Sequence, residues 1–132
     1  MTPVFSAAEL EYLRSQVLGR LATVDADGAP QNNPVRFVVD DDGRIVIGGF
    51  DMGRSRKFRN ASARPAVALV VDDMGVGEGW SVRGVEVRGS ADALTDFEPP
   101  LPGMSREVIR ITPRWIGSWG VEPGVEGLVR RT

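Results

Sequence analysis

Four cations fall within six residues in Gly53-Arg54-Ser55-Arg56-Lys57-Phe58-Arg59-Asn60, and one of them is the only lysine among sixteen basic residues. Ser55 has the side chain of a helix N-cap, which would put Arg56 and Lys57 in the first turn, where the helix dipole is already positive. Cations there oppose the dipole. A bound anion resolves the conflict by taking the free backbone N–H groups, the Ser55 hydroxyl and the cationic side chains together. A solvated charge run, binding nothing, is the plainer alternative. The broken charge rule favours a phosphate-binding segment. Phe58 and Ala61 fit core contacts, and no G-x-x-x-x-G-K-[ST] loop occurs, which excludes a Walker A site.

A second candidate is Pro30-Gln31-Asn32-Asn33-Pro34-Val35-Arg36, a polar entry into a strand that two prolines hold extended. Backbone amides flanked by Asn side chains offer donors and acceptors to the rim of a flat heterocycle, although the segment also reads as a plain loop. Asp40-Asp41-Asp42 and Asp72-Asp73 read as turn residues, and no metal site is expected. The chain contains neither His nor Cys. That excludes disulfides, zinc fingers, histidine-ligated haem and any nucleophile driven by imidazole.

These segments need a scaffold, and 132 residues at 14.3 kDa give one domain, 1–132, with 42% apolar and 26% charged residues. Ser6-Ala7-Ala8-Glu9 has capping-box spacing, with Phe5 and Leu10 placed for a hydrophobic staple. Leu10, Leu13, Val17 and Leu18 continue one helical face, so a helix is predicted over 7–18 with Gly19 as its left-handed terminator. The period then changes to two. Strands are predicted at 21–24, 35–39 and 45–47, joined through Asp25-Ala26-Asp27-Gly28 and Asp40-Asp41-Asp42-Gly43. A short helix fits 54–62, and Ala66 to Val71 is apolar on both parities, as a central strand is. Gly75-Val76-Gly77-Glu78-Gly79 precedes Trp80 and a β-rich run, which favours a hairpin loop over a dinucleotide fingerprint. Pro99 to Gly103 reads as a rigid surface link. Two further strands fit Arg106 to Ile111 and Trp115 to Trp119, split at Thr112-Pro113, and residues 121–132 read as a loosely held tail. Many short strands with two helices predict a mainly β fold closed into a barrel, with an open sheet as the alternative.

A net charge of −2 and a pI near 5.2 carry no nucleic-acid footprint. The longest aliphatic run is far short of the roughly 20 residues of a membrane helix, and Met1-Thr2-Pro3 opens no signal peptide. A cytoplasmic protein that binds neither nucleic acid nor membrane is expected.

Several stretches in order carry a family likeness: Leu18-Gly19-Arg20-Leu21-Ala22-Thr23-Val24, Asn33-Pro34-Val35, Ser55-Arg56-Lys57-Phe58-Arg59-Asn60, Pro65 to Asp73, Val87-Arg88-Gly89-Ser90-Ala91 and Ile116-Gly117-Ser118-Trp119-Gly120. Over about residues 5–120 the chain resembles the pyridoxamine 5′-phosphate oxidase-like superfamily, and within it the actinobacterial deazaflavin-dependent oxidoreductases that use coenzyme F420. The resemblance implies an FMN-binding-like split β-barrel, a homodimer, and a cofactor groove between subunits. It carries phosphate binding to Arg54, Ser55, Arg56, Lys57 and Asn60, and contact with the cofactor's ring edge to Asn33, Pro34, Val35, Arg36 and Phe37. Arg36 stands where many relatives carry a bulky aromatic. The implied reaction is hydride transfer from reduced F420 to a conjugated small-molecule acceptor, with no protein residue assigned as catalytic. An FMN enzyme of the same fold and a non-catalytic cofactor carrier or sensor are the alternatives.

Overall fold

Ser6 caps the first helix, α1 (Ala7–Ser15), with both bonds of a capping box: its hydroxyl accepts from the Glu9 N–H at 3.1 Å, and the Glu9 carboxylate accepts from the Ser6 N–H at 2.9 Å. Phe5 is buried and Leu10 packs against the core, as a staple requires. The helix stops one turn early, with Gln16 extended. Gly19 is not its terminator. It lies in strand β1 (Leu18–Val24), where a Cβ would stand 2.9 Å from Leu69 Cδ1, so the glycine serves close packing rather than a left-handed turn. Strand pairing claims Leu18 onward, and Val17 and Leu18 are left more than half exposed.

The computed structural model describes residues 2–75 and 81–132. After β1 come β2 (Pro30–Val39), β3 (Ile45–Gly48), a one-turn 3-10 helix (Met52–Arg54), α2 (Arg56–Ala63), β4 (Ala66–Met74), β5 (Val82–Leu94), β6 (Val108–Trp119) and β7 (Val129–Arg131). The antiparallel sheet runs β3-β2-β1-β4-β5-β6-β7, and a β3–β6 pairing closes its first six strands into a split β-barrel. One face of each strand fills the barrel with Leu21, Val35, Phe37, Ile45, Ile47, Leu69, Val85, Ile109, Ile111 and Ile116. The β1–β2 and β2–β3 turns are built alike. In each the first Asp, Asp25 or Asp40, accepts two backbone N–H groups, and Gly28 or Gly43 takes the positive φ that closes the turn.

Other expectations change in the folded chain. Asp72 and Asp73 are strand residues of β4, ion-paired with Arg20 and Arg83. The two strands predicted on either side of Thr112-Pro113 are one strand, β6; the proline is accommodated beside a register shift at Arg88/Gly89. Of the glycine-rich loop, Val76 to Trp80 lie outside the described residues; Gly75 donates its N–H to the Ser81 carbonyl. Trp115 lies beneath the Arg88 guanidinium, 4.0 Å from its ring centre, and covers Gly117, while Trp119 covers Gly84. Both rings are therefore half-buried within the chain.

The tail is tied down rather than loose. β7 pairs with β6, and Arg131 reaches back to the fully buried Glu9 at 2.5 Å. Glu9 also accepts from the Ser118 hydroxyl at 2.6 Å, so one carboxylate joins α1, β6 and the chain end. Burial alone would raise its pKa; the hydrogen bonds from Ser118, the Ser6 N–H and Arg131 outweigh it and hold the carboxyl below the usual glutamate value.

Candidate functional site

The site is built where α2 meets the polar start of β2. Ser55 caps α2 by accepting the Phe58 N–H at 3.2 Å and gives its own proton to the Met52 carbonyl at 2.6 Å. Arg56 and Lys57 then occupy the first turn, with Arg56 exposed and Lys57 half-buried. No acidic side chain offsets them in that turn. The helix is fixed from below by Asn60, which is 6% exposed and donates to Thr23 Oγ1 at 3.1 Å on β1 and to Gln31 Oε1 at 2.9 Å on β2.

That tether brings the two polar segments together. Gln31, Asn32, Asn33, Arg56 and Lys57 line one open groove. Along it β2 pairs with β1 through residues 30–36, whereas β3 joins its other edge only from Arg36 onward. The β2 edge beside the groove is thus without a strand partner among the described residues, and its backbone donors and acceptors are free to meet a ligand. Arg56 also borders a second recess, which Asp25, Asp27, Arg59 and Arg64 line as well. That recess mixes two carboxylates with its three guanidinium groups, whereas the Asn-lined groove has two cations and no acid in its lining.

The family model for pyridoxamine 5′-phosphate oxidase matches residues 5–120. The chain belongs to the pyridoxamine 5′-phosphate oxidase family. A relative from Streptomyces rimosus, named 5a,11a-dehydrotetracycline/5a,11a-dehydrooxytetracycline reductase, is 49% identical over 120 residues, covering 89% of this chain and 84% of the relative. Among solved structures, a conserved hypothetical protein from Mycobacterium tuberculosis matches with a TM-score of 0.70 at 25% identity, over 97% of this chain and 93% of that one. An F420 reductase matches with a TM-score of 0.60 at 28% identity, over 80% and 94%. Family and relative together mark the chain as an oxidoreductase.

Against that family's fold, the sequence-predicted residues separate into distinct groups. Asn33, Arg56 and Lys57 share the groove. Val35 and Phe37 point into the barrel core, 4% and 6% exposed, so they offer a ligand only backbone atoms. Ser55 and Asn60 have their polar groups committed to Met52, Phe58, Thr23 and Gln31, which makes them builders of the groove. Arg54 is exposed outside the lining, its carbonyl accepting from Arg59 at 2.9 Å. Pro34 is exposed on β2, and Arg36 borders a different groove beside α1. Gln31 and Asn32 belong to the lining as well. Both lie in the polar segment Pro30 to Arg36 that residue types single out, while the family resemblance carries ring-edge contact only from Asn33.

Proposed function

We propose that this protein is a reductase that holds reduced coenzyme F420 in the groove of Gln31, Asn32, Asn33, Arg56 and Lys57 and passes a hydride to a conjugated small-molecule acceptor. The observation that carries the reading is the pairing of two cations at a helix N-terminus with a strand edge that has no strand partner. Cations and free helical N–H groups suit a phosphate, and a strand edge flanked by Asn suits the polar rim of a flat ring. The groove therefore fits a planar cofactor with an acidic arm. Such a cofactor supplies the hydride chemistry, and the protein's part is to anchor, orient and exclude competing reactions. With no His or Cys in the chain, the reading assigns no protein proton donor and takes the proton from water.

The reductase name of the Streptomyces rimosus relative and the F420 reductase among the structural neighbours support this choice. We further propose that the working form is a cytoplasmic homodimer. Met74 and Val82, directly opposite each other on β4 and β5, are each 51% exposed and apolar, which suits burial against a second copy. Light scattering that gives a mass near the monomer's 14.3 kDa at micromolar concentration with cofactor present would overturn the dimer.

Titration with F420 and with FMN, each followed by its fluorescence, tests the cofactor. Tight F420 binding, slow aerobic reoxidation of the bound reduced cofactor, and its oxidation by 5a,11a-dehydrotetracycline or another conjugated enone are the expected results. Preferential FMN binding with rapid reoxidation in air would replace F420 by a flavin. Tight binding without turnover on a panel of quinones and enones would make the protein a carrier or sensor.

A further inference from the structure

A second groove lies between the end of α1 and the far half of β2. Leu13 and Phe37 are buried at its floor, and Val17 and Val38, 54% and 40% exposed, form apolar walls. Arg14 and Arg36 stand on opposite sides, Arg14 from the last turn of α1 and Arg36 from β2. Arg14 has a local reason, since a cation suits a helix C-terminus. Arg36 has none. The residues directly across from it are Leu18 on β1 and Gly48 on β3, neither able to pair with a guanidinium. Of the strand arginines, Arg20, Arg83, Arg88, Arg110 and Arg131 each hold a carboxylate, whereas Arg36, like Arg114 and Arg130, holds none among the described residues. Neither Arg14 nor Arg36 has an ion pair among the described residues.

We infer that this groove binds a second small molecule: a planar conjugated molecule carrying a delocalised negative charge, such as an ionised vinylogous acid or β-dicarbonyl. The apolar floor and walls take the flat hydrocarbon framework, and the two guanidinium groups take the charge-sharing oxygens, for which their planar fork is suited. Arg36 and Asn33, three residues apart on β2, project from opposite faces of the strand, and the two grooves share no lining residue, so this groove is separate from the cofactor groove. This assignment goes beyond the reductase reading and stands on the groove's own residues.

Direct binding without cofactor separates the two ideas. The probes are 2-hydroxy-1,4-naphthoquinone, an anion at neutral pH, and 1,4-naphthoquinone, its neutral counterpart, each measured by calorimetry. Wild type is expected to prefer the anion by tenfold or more. Arg36→Gln and Arg14→Gln should each weaken the anion by about tenfold to a hundredfold and leave the neutral quinone within about threefold. Both arginines are exposed; the Arg36→Gln melt should match wild type, and Arg14→Gln should fall only slightly, by the loss of a cation at the C-terminus of α1. Lys57→Ala should leave anion binding unchanged while weakening F420. Equal affinity for the two probes, an unaffected Arg36→Gln variant, or a loss in Lys57→Ala as large as in Arg36→Gln would overturn the assignment. If the anion preference depends on Arg36 but neither F420 nor FMN binds, the groove stands and the reductase reading falls.

Discussion

Asn60→Ala tests the part of the structure on which the cofactor groove depends. The Asn60 amide gives one hydrogen bond to Thr23 Oγ1 and one to Gln31 Oε1, and Thr23 is 1% exposed. Each neutral hydrogen bond is worth about 0.5–1.5 kcal/mol net, and the buried Thr23 hydroxyl left without its donor adds to the cost, for a total of about 2–3 kcal/mol. A domain of this size has roughly 5–15 kcal/mol in hand, so the variant still folds and its binding can be measured. The second consequence is functional. Without the tether Gln31 and the start of α2 are no longer held to one another, so Arg56 and Lys57 lose their fixed distance from Asn33, and F420 binding should fall by about three- to tenfold. Urea unfolding gives the first number and fluorescence titration the second. A double-mutant cycle with Thr23→Val makes the argument refutable: the two changes remove the same bond, so together they should cost at least 0.5 kcal/mol less than the sum of their separate costs. Strict additivity, or an Asn60→Ala cost below about 0.5 kcal/mol, would mean that Asn60 does not tether the helix.

Lys57→Ala should weaken F420 by about tenfold to a hundredfold through loss of a charge-assisted contact, while the melting temperature without cofactor stays level or rises slightly, because a cation leaves the positive end of α2. Acid should destabilise the protein through Glu9: its folded pKa lies below the ordinary value near 4.5, so its stabilisation is complete above that value and is lost as pH falls through the folded pKa. Urea midpoints from pH 7 down to 3 should therefore drop more steeply in wild type than in Glu9→Gln, and parallel curves would remove Glu9 from the account. Tyr12 should limit stability at the alkaline end, since burial and then its hydrogen bond to Asp73 push the phenol well above 10, and the unfolded chain loses that proton first. Stability should decline above pH 10 in wild type and less so in Tyr12→Phe, as denaturant melts across that range would reveal.

Local signals were legible because they are satisfied by atoms a few residues apart. The Ser6–Glu9 capping box, the Ser55 cap and the twin Asp-to-Gly turns each close within three or four residues, so the sequence contains both partners side by side. Alternation in β2 and β3 and the apolar run of β4 likewise forced strands with a buried face, and the order of short strands led to a barrel. The cationic first turn of α2 was visible for the same reason.

Where these elements met was decided by pairing across long separations. Periodicity gave no account of β6 running through Thr112-Pro113, because the proline sits beside Arg114, the residue that the register against β5 skips. The tail looked free because Arg131 finds its carboxylate, Glu9, 122 residues away, at the other end of the chain. The site divided in the same way. Arg36 and Asn33 lie on one strand, yet they line different grooves, Arg36 beside α1 and Asn33 beside α2, and only the second has a free strand edge, because β3 pairs with β2 from Arg36 onward. Residue types and spacing determined which groups could bind an anion; barrel closure and strand register determined which of them share a groove, since a side chain's neighbours across a sheet depend on alignment with strands that its own sequence does not contain.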